Sequence, residues 1–166
     1  MNAKGRKAAA ILLAVTLTSA AGASLAASDS SFAGHYTTAS LSVQEQTAGN
    51  LLNSDRARYG LAPLVIDPEL CRIARIKSQD MRDNQYFAHT SPTDGDVRSM
   101  LRRFGYAFTA SGENIAHHAT IEKAQAAFLS SPGHRRNIMS GTYTKVGMGA
   151  AIDAQGYVYL TQIFVR

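Results

Sequence analysis

Apolar residues recur at helical spacing through most of the chain and switch to strand-like alternation near its end. Ala48, Leu51, Leu52 and Tyr59 keep helical spacing, and Gly60 stops that helix. Asp67 and Pro68 read as the N-cap and first residue of a second helix. Its apolar face is Leu70, Ile73, Ala74 and Met81, with Lys77 breaking the pattern. Val97, Met100, Leu101 and Phe104 follow an i, i+3, i+4, i+7 pattern, behind a cap at Asp94 or Asp96 and ahead of Gly105. A fourth helix starts from a Thr120 cap, with Glu122 in the first turn where the dipole favours an anion. It turns Ile121, Ala124 and Phe128 to one side and ends at Pro132. Then the period changes: Val146, Met148, Ala150 and Ile152 alternate with Gly147, Gly149 and Ala151. Residues 153–156 form a turn, and 157–165 are apolar on both faces, as in a covered central strand. The short turn makes the two strands antiparallel. Helices early and a hairpin late give an α+β class. Gly147 and Gly149 leave one strand face bare, open to close approach by a helix or loop.

The start of the chain reads differently. Lys4, Arg6 and Lys7 precede an uncharged apolar stretch at 8–21, and small residues follow to Ala27. That order is a secretory signal, with cleavage favoured after Ala26 or Ala27. Residues 1–27 are assigned to the signal, 28–40 to a flexible lead-in rich in small and hydroxyl residues, and 41–166 to one domain. The expected destination is extracellular or the cell envelope. The chain's 17 Lys+Arg and 12 Asp+Glu give a formal charge of +5. Three of the basic residues lie in the leader, so the remainder carries 14 basic against 12 acidic groups, or +2. Nucleic acid is therefore not an expected partner. No later apolar run approaches roughly 18 residues, so no membrane span is expected after signal cleavage. Cys71 is the only cysteine, which excludes a disulfide within the chain; it reads as a small buried hydrophobe on a helix.

Five histidines remain to be placed: His35, His89, His117, His118 and His134. His35 falls in the lead-in. His117 and His118 are neighbours, and neighbours on a strand point to opposite faces, so they do not both serve one pocket. His89 follows the second helix and His134 the fourth, while Glu113 lies in Ser111-Gly112-Glu113-Asn114. All three come after turn-forming residues, where loops carry function on a rigid scaffold. Two histidines and a carboxylate are a ligand set that catalytic zinc accepts, with a position left for water. No H-E-x-x-H spacing accompanies them, and a hydrogen-bonded loop carboxylate beside two ordinary histidines fits the residues as well. There is no phosphate-binding glycine loop and no G-x-S-x-G, and Ser131 with His134 lacks an orienting acid.

An ordered series of short stretches resembles the CAP superfamily, in its bacterial secreted SCP-domain branch. The series is Gly60-Leu61-Ala62-Pro63-Leu64, Phe87-Ala88-His89-Thr90-Ser91-Pro92, Gly112-Glu113-Asn114-Ile115-Ala116, Ser130-Ser131-Pro132-Gly133-His134-Arg135, Val146-Gly147-Met148-Gly149 and Thr161-Gln162-Ile163-Phe164. The resemblance implies an α-β-α sandwich, with a small antiparallel sheet between helical layers and a further strand near 114–118. It implies a central cleft formed by His89, Glu113, Ser131 and His134. His89 and His134 would be the metal ligands, and Glu113 would bond a histidine or a metal-bound water. The family's second cleft acid falls near Ser131 here, so the acidic pair is incomplete.

Three functional readings stay open. The first is a secreted binding module for a lipid, peptide or cell-envelope component, with Zn²⁺ or another divalent cation between His89 and His134. The second is a metal-dependent hydrolase or protease with Glu113 as the catalytic base. The third is a structural cell-surface protein whose cleft residues brace loops.

Overall fold

The structure, a computed structural model, describes residues 40–166. The predicted signal segment, His35 and nearly all of the predicted lead-in lie outside the described residues.

Helix starts follow the local chemistry of their caps. α1 (Val43–Arg58) opens on a capping box, in which the Ser42 hydroxyl accepts from Glu45 N and the Glu45 carboxylate accepts from Ser42 N. α2 (Pro68–Asp83) opens at Asp67, whose Oδ1 accepts from the backbone of Glu69 and Leu70. α3 (Val97–Arg103) takes Asp96 rather than Asp94 as its cap, and α4 (Ile121–Ser130) takes Thr120. Pro132 ends α4, as expected, but it also begins a short helix, α5 (Pro132–Ile138). A proline lacking an N–H breaks one helix and suits the first turn of the next.

α1, α2 and α3 end in the same Schellman geometry. In α1 the closing bonds are Leu61 N to Arg56 O and Gly60 N to Ala57 O, both 3.0 Å. α3 repeats this with Tyr106 N to Leu101 O at 2.8 Å and Gly105 N to Arg102 O at 3.0 Å. α2 uses Tyr86 N to Met81 O at 3.1 Å and Gln85 N to Arg82 O at 3.4 Å. The left-handed residue is glycine in α1 and α3, with φ of 70° at Gly60 and 68° at Gly105. In α2 it is Gln85, with φ of 53°, where a side chain is disfavoured.

The sheet has four strands in the order β1 (Val65–Ile66), β3 (Lys145–Ile152), β4 (Val158–Val165), β2 (Ser111–His118). β3 and β4 form the expected antiparallel hairpin, and β2 pairs antiparallel with β4 over its whole length. The two-residue β1 runs parallel to β3, so the sheet is mixed rather than wholly antiparallel. α1, α4 and α5 pack on one face through Leu52, Phe128 and Ile138 against Met148, Leu160 and Phe164. α2 and α3 pack on the other through Leu70, Ile73, Met100 and Leu101 against Ile163 and Val165. The result is an α-β-α sandwich. β4 is covered on both faces as expected, but Thr161 and Gln162 place polar side chains in its buried middle. Cys71 is buried on α2, where its sulfur accepts from Met148 N and burial pushes the thiol pKa up to about 11, leaving it a protonated hydrophobe.

Gly147 and Gly149 set how closely α2 approaches. A Cβ at Gly149 would lie 2.0 Å from the Ala74 carbonyl carbon, and one at Gly147 would lie 2.3 Å from that of Leu70. Both obstacles are helix backbone and cannot rotate away. Ser78 completes the seam by donating to Gly149 O at 2.9 Å and bonding the Thr161 hydroxyl at 2.8 Å. Gly149→Ala should therefore cost about 3 kcal/mol or more in urea unfolding, the upper range for overpacking. A loss below about 1 kcal/mol would show that α2 can lift from the sheet freely.

Candidate functional site: a His–Glu–His cluster at the edge of the sheet

β2 is an edge strand, and its residues alternate between the two helical layers. Glu113, Ile115 and His117 share the α2 face; Asn114, Ala116 and His118 face α4 and α5. This alternation lets two loosely related segments meet around one strand.

On the α2 side, Glu113 Oε1 lies 2.7 Å from His89 Nδ1. The Glu113 side chain is only 3% exposed while that of His89 is 56% exposed, so a buried carboxylate holds a solvent-facing imidazole. Glu113 Oε2 is buried and has no hydrogen-bond partner. His89 lies in the loop after α2, and that loop is pinned to the helix behind it. Asp80 Oδ2 accepts from the Tyr86 hydroxyl and from Ser91 Oγ at 2.7 Å. Ser91 Oγ in turn accepts from the backbone of Thr93 and Asp94.

Beneath this loop lies Lys77, the residue that broke the apolar pattern of the second helix. It is fully buried, with Nζ 3.2 Å from the Tyr86 hydroxyl. Burial lowers its pKa, and the charges of Glu113 and Asp80 oppose that shift. Partial burial works against ionisation of Asp80, but hydrogen bonds from Tyr86, Ser91 and Asn84, with the charge of Lys77, hold its carboxyl below the usual range. Lys77 and Asp80 thus support the cleft from behind. The sequence signal for them was a charge at i, i+3, i+4 spacing within a buried helical face.

On the other side, His134 projects from the first turn of α5. Its ring centroid is 6.4 Å from that of His89 and 5.2 Å from that of Phe128, which it meets edge-on. A chain of amides fixes this segment. Asn137 Nδ2 donates to Asn114 Oδ1 at 2.9 Å and to Glu113 O at 3.2 Å. Asn114 Nδ2 donates to Gln162 Oε1 at 3.0 Å and to His134 O at 3.1 Å. Gln162 Nε2 donates to Gln125 Oε1 at 2.9 Å, and Gln125 Nε2 donates to Asp55 Oδ2 at 2.8 Å. Every link points the same way, from α5 to the Asp55 carboxylate on α1.

The structure brings together His89, Glu113 and His134, on a loop, a strand and a short helix respectively, where the sequence placed all three after turns. Ser131 sits at the α4–α5 junction as the N-cap residue of α5, with no capping bond from its hydroxyl. Among the described residues no hydrogen bond links that hydroxyl to Glu113 or either imidazole. His117 and His118 close β2 on opposite faces, away from this cleft, as expected.

Among the described residues, no group of three or more His, Cys, Asp or Glu side chains is gathered to hold a metal ion. A resident zinc takes three or four protein ligands. The cleft offers two imidazoles, with Glu113 directed at one of them as an outer partner. It does not fit a tightly held resident metal.

Residues 50–164 match the Cysteine-rich secretory protein (CAP) family, so the chain belongs to that family. A Bacillus subtilis protein named YkwD is 43% identical over 111 residues, covering 66% of this chain and 43% of the relative. A second Bacillus subtilis relative, named as the membrane protein YlbC, is 34% identical over 118 residues, covering 70% of this chain and 33% of its own length. The matches thus span less than half of each curated relative. An extracellular protein containing an SCP domain from Bacillus anthracis shares 35% identity and a TM-score of 0.69, over 74% of this chain and 40% of that one. An outer surface protein from Borrelia burgdorferi has a TM-score of 0.68 at 17% identity, over 73% of this chain and 90% of that one, a likeness of fold alone.

The two imidazoles shift in opposite directions. The hydrogen bond to Glu113 raises the pKa of His89 above its usual value, partly offset by burial and Lys77. Burial lowers that of His134, and the charge of His89 adds to the effect. His89 therefore favours the folded state at low pH, an advantage lost as pH rises through its folded pKa. His134 does the reverse, losing its contribution as pH falls through its folded pKa. An NMR titration should find His89 protonating at higher pH than His134. Glu113→Gln should lower the His89 value and narrow the gap; an unchanged His89 pKa in that variant would contradict the pairing.

Proposed function

We propose that this is an exported binding domain whose His89–Glu113–His134 cleft captures a lipid, peptide or cell-envelope component. The observation that carries this reading is Glu113. One of its oxygens is committed to His89, while the other is buried without a partner. A buried acceptor left unbonded costs about 1–3 kcal/mol, which a ligand N–H or O–H, or a bound water, would recover. The same arrangement weighs against hydrolysis: Glu113 already braces an imidazole, and the family resemblance puts the second acid position near Ser131, which is no acid. Export is supported by the basic-then-apolar start of the sequence and by the extracellular relative from Bacillus anthracis. No helix among the described residues is long and apolar enough to cross a membrane.

A divalent cation between His89 and His134 would be a weak, exchangeable part of that binding, since two imidazoles leave most of its coordination to solvent or ligand. Calorimetric titration with Zn²⁺ should show a Kd weaker than about 1 μM, lost in His89→Ala/His134→Ala. The affinity should fall below about pH 6, because a ligating imidazole must be neutral. Binding retained by the double variant, or flat between pH 5 and 8, would contradict a cation at these residues.

A further inference from the structure

Beyond the C-terminus of α2, the same sheet face carries a second concavity, which the cleft reading leaves unused. It is a half-open concavity of about 530 Å³. Two aromatic side chains, His117 and Tyr159, line it among polar ones. His117 on β2 stacks on Tyr159 of β4, with ring centroids 4.0 Å apart and planes inclined by 16°. Tyr157 lies 5.6 Å from His117, and Phe87 lies 6.5 Å from both His117 and Tyr159. Phe87 is 51% exposed and Tyr157 is 45% exposed, so these rings do not simply complete the core. His117 and Tyr159 line the concavity, and Phe87 and Tyr157 extend the ring cluster beside it.

The stacked pair is held in place. Asp153 Oδ2 holds His117 Nε2 at 2.8 Å, while Asp153 Oδ1 accepts from the backbone of Gln155 and Tyr157 in the β3–β4 turn. One carboxylate therefore fixes both the ring and the turn that presents Tyr157. The rim adds hydrogen-bonding groups of both senses. Gln85 and Gln155 supply amides, and Arg82 is paired with Asp83 at 2.7 Å. With one cation against Asp83 and Asp153, the site offers nothing to a phosphate backbone. With charged and amide side chains among its lining, it does not suit a bare hydrocarbon chain.

Gln85 supplies an independent observation. α1 and α3 place glycine at the left-handed position of their closing turns, whereas α2 places Gln85 there, and Gln85 is one of the residues lining this concavity. Glycine would satisfy the same turn with less strain. The turn alone does not explain a glutamine.

We propose that this platform binds an uncharged oligosaccharide. A pyranose ring presents a face of C–H groups that packs on aromatic rings, and its edge carries hydroxyls that both donate and accept. The half-exposed rings of Phe87 and Tyr157, beside the amides and carboxylates that line the concavity, match that chemistry. His117 lies four positions beyond Glu113 on one strand face, about 13 Å at strand rise, so the platform adjoins the His–Glu–His cluster without sharing its residues. The inference is independent of the cleft reading.

The test is an NMR titration of the protein with chitotetraose, cellotetraose and maltotetraose, each to about 10 mM. At least one should bind, with shifts confined to residues 82–87, 117 and 153–159. Phe87→Ala and Tyr157→Ala, both at exposed positions, should each weaken it about ten-fold. Gln85→Gly should raise Tm yet weaken binding, a combination that a purely structural role for Gln85 would not give. His89→Ala/His134→Ala should leave saccharide affinity unchanged, which separates failure of this proposal from failure of the cleft reading. Binding by none of the three sugars, or shifts centred on 89, 113 and 134, would overturn it. So would concentration-dependent shifts at the four rings without sugar, which would mark a face for a second copy of the chain.

Discussion

A single file of side-chain hydrogen bonds, buried except at its Asn137 end, runs from α5 to α1, and the placing of His134 beside β2 depends on it. Asn137, Asn114, Gln162, Gln125 and Asp55 are joined by four bonds of 2.8–3.0 Å, each amide donating toward the carboxylate. An amide can point either way, but the charged acceptor at Asp55 fixes the last link, and each link fixes the one before it. In a low-dielectric interior such a chain strengthens cooperatively when complete and is costly when broken. It ties both helices of the α4–α5 pair to the sheet, and through Asn114 it holds the His134 backbone against β2. Arg56 reinforces the same junction by donating from one nitrogen to the carbonyls of Ile138 and Ser140, at 2.6 and 2.9 Å.

With α5 fixed in this way, the cleft follows from the alternation of β2. Glu113 turns toward α2 and meets His89, while Asn114 turns the other way and captures the segment bearing His134. The two imidazoles approach around the strand edge without touching, one favoured as the cation and one as the neutral base. Two residues beyond Ile115 on the same face, His117 enters the aromatic platform. One edge strand therefore organises two clusters, His89–Glu113–His134 and the rings around His117.

Where chemistry is local, the sequence reveals it. Caps at Asp67 and Thr120, the hairpin turn at 153–156 and the bare strand at Gly147 and Gly149 each depend on neighbouring residues, and each is present. The meeting of His89 with Glu113 spans 24 positions and that of Asn114 with His134 spans 20, so no spacing rule reaches them; residue chemistry and the family resemblance singled out His89, Glu113 and His134, and neither pointed to Asn114. α5 was hidden because Pro132 satisfies the signal for stopping one helix and for starting the next. β1 was hidden because two residues carry no period. The amide file was hidden because Asn114, Gln125 and Gln162 are individually ordinary. The available sign was Gln162 lying within an otherwise apolar central strand, a polar group that must find a partner inside.

A double-mutant cycle on Asp55→Ala and Asn137→Ala, read by urea unfolding, addresses the amide file directly. The two side chains belong to different helices and are linked only through Gln125, Gln162 and Asn114. If the file acts as one unit, the first break disorders what the second would remove, and the coupling should reach about 1 kcal/mol. Losses that add within about 0.3 kcal/mol would mean that the five residues form separate bonds, and that the cleft is held by packing alone.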